Sequence, residues 1–154
     1  DLLLQAPQRS VEFLHKWHNN GNTERVPYTN LMLGAAHDHE STGAALWGSK
    51  YMHFFFLFEP QEPYTMVARS EFFCFPAQED ATKCELIQFI SSLTIDEDDK
   101  DLSVVVGYGI NDCEAALRRM PLQAVLDFVW AGANRQESLE LEAKMAVRPA
   151  QGVV

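Results

Sequence analysis

Val104-Val-Val-Gly107-Tyr108-Gly109-Ile110-Asn111-Asp112-Cys113-Glu114-Ala-Ala-Leu-Arg-Arg-Met120-Pro121-Leu122-Gln-Ala-Val125-Leu126-Asp-Phe-Val129 is the stretch that decides how this chain is read. The apolar run from Leu102 to Tyr108 has the signature of a strand covered on both faces. It runs into a Gly-Tyr-Gly turn that presents Asn111 and Asp112, and Cys113 to Arg119 reads as the returning strand. Leu122, Val125, Leu126 and Val129 then recur at the i, i+3, i+4, i+7 spacing of a helix face. Pro121 suits the first turn of that helix and Gly132 the position just past its end, which predicts a short helix over Pro121 to Trp130. Asn134 with Glu137 has the form of a capping box, and Glu140 with Lys144 an i, i+4 pair, so a second, peripheral helix is expected in the tail.

Upstream, Glu85 to Thr94 is the strand that pairs with this run, across an acidic turn at Asp96 to Asp101. That turn lacks the alternating ligands and central glycine of a calcium loop and reads as solvated. Lys50 to Phe58 is apolar at nearly every position, as a strand between two layers would be. Tyr28 to His37 precedes it, followed by a polar loop, His37 to Gly43. Tyr64 to Arg69 and Glu71 to Phe75 follow it after a turn containing Pro60 and Pro63. Asn19-Asn20-Gly21-Asn22 reads as a turn, and Ser10 can cap a short helix through His18. The segmentation is therefore an irregular stretch over 1–27, a β domain over 28–130 and a peripheral tail over 131–154. The expected fold is all-β, with six or seven mostly antiparallel strands. Two blade-like sheets of a partial β-propeller with a short C-terminal helix account for the spacing, and a β-sandwich is the competing architecture.

Composition sets the outer limits. The 154 residues suffice for one packed core. A formal net charge of −10 argues against nucleic acid as a partner, because phosphate binding needs a basic surface. No run is long and apolar enough to span a bilayer, and Asp1 to Ala6 lacks the basic start of a signal peptide, so no membrane partner and a cytoplasmic location are expected. Cys74, Cys84 and Cys113 form no Cys-x-x-Cys pair. Free thiols in a reducing compartment are the preferred reading, with one disulfide plus one thiol as the alternative.

Ile87-Gln88-Phe89, Val106-Gly107-Tyr108-Gly109, Asp112 and Pro121-Leu122-x-x-Val125-Leu126 together resemble the C-terminal end of glycoside hydrolase family 130. Leu31 to His37, Tyr51 to Phe58 and Tyr64 to Ser70 resemble the blade before it. Members of that family are five-bladed β-propellers, many of them β-mannoside phosphorylases. The resemblance implies that this chain corresponds to about the last two blades. The missing blades, or another chain, would complete it. It implies an oligosaccharide or glycoside as ligand, no organic cofactor, and inorganic phosphate as co-substrate. It offers no counterpart here of the family's general acid, so no catalytic residue is assigned and the chain alone is not expected to be catalytic. A non-catalytic glycan-binding module and a structural half-propeller remain as alternatives.

The candidate substrate-binding residues are Asp112, His37, Asn111 and Tyr108. The resemblance implies a substrate-contacting role for Asp112, whose carboxylate can accept two sugar hydroxyls; the alternative is a turn in which Asn111 and Asp112 bond their own backbone. The resemblance places His37 near a strand-end histidine that helps bind phosphate or sugar. His37-x-His39, with His53 on the next strand, has the form of a chelate, but a hydrogen-bonded polar histidine is the default and no metal is expected. Tyr108 can stack on a sugar or fill the core.

Overall fold

The computed structural model describes residues 17–41, 49–85, 87–98 and 100–146. Its elements are β1 (His18–Arg25), β2 (Met32–Ser41), β3 (Ser49–Phe58), β4 (Met66–Arg69), β5 (Gln88–Asp96), β6 (Ser103–Ile110), β7 (Glu114–Pro121) and α1 (Leu122–Ala146). They form two antiparallel meanders, β1-β2-β3-β4 and β5-β6-β7. The chain is thus mostly β, with one helix among the described residues.

Strand β3 is covered on both faces, as its composition predicts. Phe55 and Leu57 join Leu33 and Ala35 on the side shared with β5 and β6, where Ile90, Leu93, Val104 and Val106 complete the main core. Phe54 and Phe56 lie on the opposite side with Ala36, flanked by Trp17, Phe58 and Met66. There the Arg69 guanidinium stands 4.9 Å from the Trp17 ring and 5.6 Å from that of Phe54, so its charge meets aromatic faces. Leu122, Val125 and Val129 of α1 seal the end of the main core.

Several sequence expectations change. The asparagine-rich stretch 19–22 is not a turn: it belongs to β1, inside the segment expected to be irregular. Its residues are used for sheet contact. Asn22 Nδ2 donates to the Leu93 carbonyl at 2.6 Å, and Leu93 N–H donates to Asn22 Oδ1 at 3.1 Å. Gly21 sits at a bulge with φ 63°, where a Cβ would lie 2.5 Å from the Ser91 carbonyl oxygen. Likewise the polar loop expected from His37 is, as far as Ser41, the continuation of β2; its last two residues, 42 and 43, lie outside those described. The helix expected over 10–18 falls largely on residues outside those described, and His18 already belongs to β1.

Gly132 does not end the helix, and Asn134 starts no second one: α1 runs through both. Gly132 is there because the helix backbone presses on the end of β4, where a Cβ would meet Arg69 O and Glu71 N at 2.6 Å. The tail beyond Trp130 is therefore largely this helix, and the final residues, 147–154, lie outside those described.

The preferred reading of three free thiols also fails. Cys74 and Cys84 form a disulfide with Cα atoms 5.8 Å apart, and Cys113 is free and exposed. The segment between them folds back on itself, with Ala77 N–H donating to Lys83 O at 2.8 Å, and this return brings the two cysteines together. No helix of the described residues is long and apolar enough to cross a membrane.

Gly132→Ala separates helix propensity from packing. Propensity alone would stabilise the helix by about 1 kcal/mol. Collision with fixed backbone costs about 1–3 kcal/mol. The variant is expected to unfold at lower urea concentration than the parent; a higher midpoint would show that the helix does not sit this close to β4.

Candidate functional site

The strand register decides which side chains can meet. His18 on β1 is the cross-strand partner of His37 on β2, and His37 is the partner of His53 on β3. Cross-strand partners share a face, so three histidines form one row across the first sheet. Asn20, fully buried, lies beside this row and joins two of its members. Its Oδ1 accepts from His37 Nδ1, and its Nδ2 donates to His53 Nδ1 at 3.2 Å. The His18 ring stacks on that of His37 with centroids 5.4 Å apart.

His53 is completely buried. Burial, reinforced by the neighbouring His37, pushes its pKa down from 6.5 to about 4. The Gln88 backbone opposes this by favouring the protonated ring, as only its carbonyl can. No well-formed hydrogen bond nevertheless reaches His53 Nε2 among the described residues. His53 is thus a neutral core imidazole.

The second sheet joins this row through one aromatic ring. Phe89, near the start of β5, lies 5.4 Å from His37 and 6.3 Å from Tyr51, centroid to centroid. It pairs across the ladder with Gly109, near the end of β6, so the turn holding Asn111 and Asp112 follows at the same end. Asn22 bonds Leu93 while His37 touches Phe89, so β1 and β5 run side by side in the same direction. His37 and Asp112 therefore occupy the same end of the two sheets, with Phe89 between the histidine row and the turn.

Phe89, 41% exposed, also forms one wall of an open cavity of about 480 Å³. Ser91, Ser92, Gly107, Asp112 and Leu117 are among its other lining residues. Gly107 keeps its floor clear: a Cβ there would stand 2.5 Å from Ser92 Oγ. His37 does not line this cavity; only 6% exposed, it supports Phe89 from behind.

The other candidates separate by their bonds. Asn111 and Asp112 have φ of 50° and 56°, and Cys113 N–H closes the turn on the Ile110 carbonyl at 3.0 Å. Positive φ at both central residues is what a type I′ hairpin turn requires. Asn111 is committed to holding the turn in place: it donates to Glu85 Oε2 at 3.1 Å and accepts from Ile87 N–H at 3.3 Å. Asp112 is exposed, and its carboxylate makes no hydrogen bond or ion pair among the described residues. Tyr108 borders the cavity, but its ring stacks on Phe75 at 4.4 Å and is 8% exposed, so it belongs to the core. Among the described residues no group of three His, Cys, Asp or Glu side chains is placed to hold a metal ion.

Comparison with protein-family models, with characterised proteins and with solved structures finds no match for this chain. The geometry of the corner therefore carries the functional reading. Phe89, Asn20 and the alignment of His18 with His53 were not singled out from sequence as site residues. The alternating Asn-x-Asn of β1 is the signal that could have found Asn20, but only with β1 read as a strand.

Acid should weaken the fold through His53. In the folded protein it stays neutral down to pH about 4, whereas the unfolded chain takes up its proton near 6.5. The unfolded state thus binds more protons inside that window, and stability falls as pH is lowered through it, by about 3 kcal/mol in total. Urea titrations at pH 7 and pH 4.5 should show this loss, and His53→Gln should reduce it. An equal pH response in the variant would mean that other groups carry the effect.

Proposed function

We propose that the Phe89–Asp112 corner binds a carbohydrate. On this reading the chain is part of a carbohydrate-active, propeller-type protein of the kind that glycoside hydrolase family 130 represents. The observation that carries the reading is an exposed aspartate, without a hydrogen-bond or ion-pair partner among the described residues, lining the same open cavity as a half-exposed phenylalanine. Sugars offer these two groups matched surfaces: an apolar C–H face for the ring and vicinal hydroxyls for the carboxylate. The hydroxyls of Ser91 and Ser92 add short polar contacts, and Gly107 leaves room for a ring to approach the sheet.

The layout of the sheets supports the propeller part of the reading. Two meanders pack face to face with their first strands side by side, as adjacent blades do. Asp112 is given a binding role and not a catalytic one. Glycoside cleavage needs two opposed carboxyl groups, and the nearby Glu85 and Glu114 are engaged by Asn111 and Gln78. The Cys74–Cys84 bond weighs against the cytoplasmic expectation, since disulfides persist in oxidising compartments.

A second reading rests on Leu117, 77% exposed on the same sheet face. A further sheet covering that face would bury it together with Phe89. The chain would then be a structural part of a larger assembly.

The test is a titration of mono- and disaccharides, β-mannosides among them, and of inorganic phosphate, followed by calorimetry. Asp112→Ala should weaken sugar binding about tenfold or more, the worth of a charged hydrogen bond. Phe89→Ala should weaken it as well. Sugar binding that survives both substitutions unchanged removes the corner from the site.

A further inference from the structure

We propose that Asn20 is a positioning residue for this corner: its amide fixes the ring orientation and proton placement of both His37 and His53, and through His37 the seat of Phe89. The functional half of this proposal rests on the carbohydrate reading; the proton placement stands apart from it.

An amide has one accepting end and one donating end. Asn20 Oδ1 can only accept, so His37 carries a proton on Nδ1. Asn20 Nδ2 can only donate, so His53 Nδ1 is bare and its proton sits on Nε2. The reversed amide would put a lone pair on His53 Nε2 instead.

Asn20 is itself held from both sides. It is fully buried, its partner across the ladder is Ala35, and its neighbour Gly21 is packed too closely on Ser91 to admit a side chain. Asn22, two residues on, is bonded both ways to the Leu93 backbone. The amide is thus a fixed point from which the rings are hung. The His37 ring, set by it, meets Phe89 at an interplanar angle of 68°. His18 from β1 and Tyr51 from β3 also stand against the His37 ring.

Imidazole nitrogen–proton correlation spectra of the ¹⁵N-labelled protein at pH 7 read these states directly. The expected result is His53 protonated on Nε2 alone and His37 protonated on Nδ1. A parent protein with His53 protonated on Nδ1 overturns the proposal before any variant is made. In Asn20→Asp the carboxylate accepts from both rings. His53 should then move its proton to Nδ1, and its pKa should rise by about one unit or more. Unchanged tautomer and pKa in that variant overturn the proposal. Phe89 ring resonances, assigned through Phe89→Leu, should shift in both Asn20→Asp and Asn20→Ser, and signals that stay in place remove the positioning role. A parent protein that binds no sugar yet gives the expected spectra defeats the carbohydrate reading and leaves the proton placement intact.

Discussion

Two sheets that share no backbone ladder among the described residues are joined here by side-chain amides that imitate one. Asn22 offers Leu93 the acceptor and donor that a neighbouring strand would have supplied. Gln88 does the same for Phe75, accepting its N–H at 2.8 Å and donating to its carbonyl at 2.7 Å. Buried main-chain groups at the junction are thereby satisfied, which matters because an unpaired one costs about 1–3 kcal/mol. The alignment of β1 with β5 follows from the first of these pairs. So does the meeting of the histidine row with Phe89, without which Asp112 and His37 would belong to unrelated ends of the molecule.

The row of histidines runs against the apolar character of the core around it. Leu33 with Leu57 and Ala35 with Phe55 occupy the same face of β2 and β3. A polar row costs desolvation that an apolar one would not. In exchange it ties register to hydrogen bonding. Slipping β2 by one residue would turn His37 to the face of Ala36 and Phe54 and strand the Asn20 amide. The cost is kept small by holding His53 neutral, and Asn20 supplies the donor that its unprotonated nitrogen needs.

Much of the fold was legible because strands and turns announce themselves by periodicity and by their punctuating residues. The two-sided burial of Tyr51 to Phe58, the β6–β7 hairpin and the apolar face of the helix from Leu122 all stand in the structure as the pattern implies. What misled was residue chemistry used for tertiary ends. Asparagine and glycine at 19–22 carry turn propensity, yet serve sheet contact. Gly132 has the look of a helix stop, yet admits a neighbouring backbone. Asp112 was visible as a carboxylate on a turn, and its exposure agrees with that. The distinction between Asp112 and Asn111 was not legible, because it depends on Glu85 and Ile87, brought alongside only by the ladder. Phe89 was invisible as a site residue for the same reason, since its value comes from what stands on either side of it.

The bond from Asn22 to Leu93 spans 71 positions of sequence. Each meander can form from nearby residues, but their docking must wait for this distant pair, and contacts of such range are slow to arise. The support of Phe89 by His37 depends on this docking, whereas Phe89 and Asp112 are brought together within the second meander itself. By the same token, a fluctuation that parts the sheets would strip His37 from behind Phe89 and expose the core that the two sheets share. The cavity on Phe89 is lined by β5, β6, β7 and their connecting turn alone, so an occupant would feel such an opening only through the lost support of that ring.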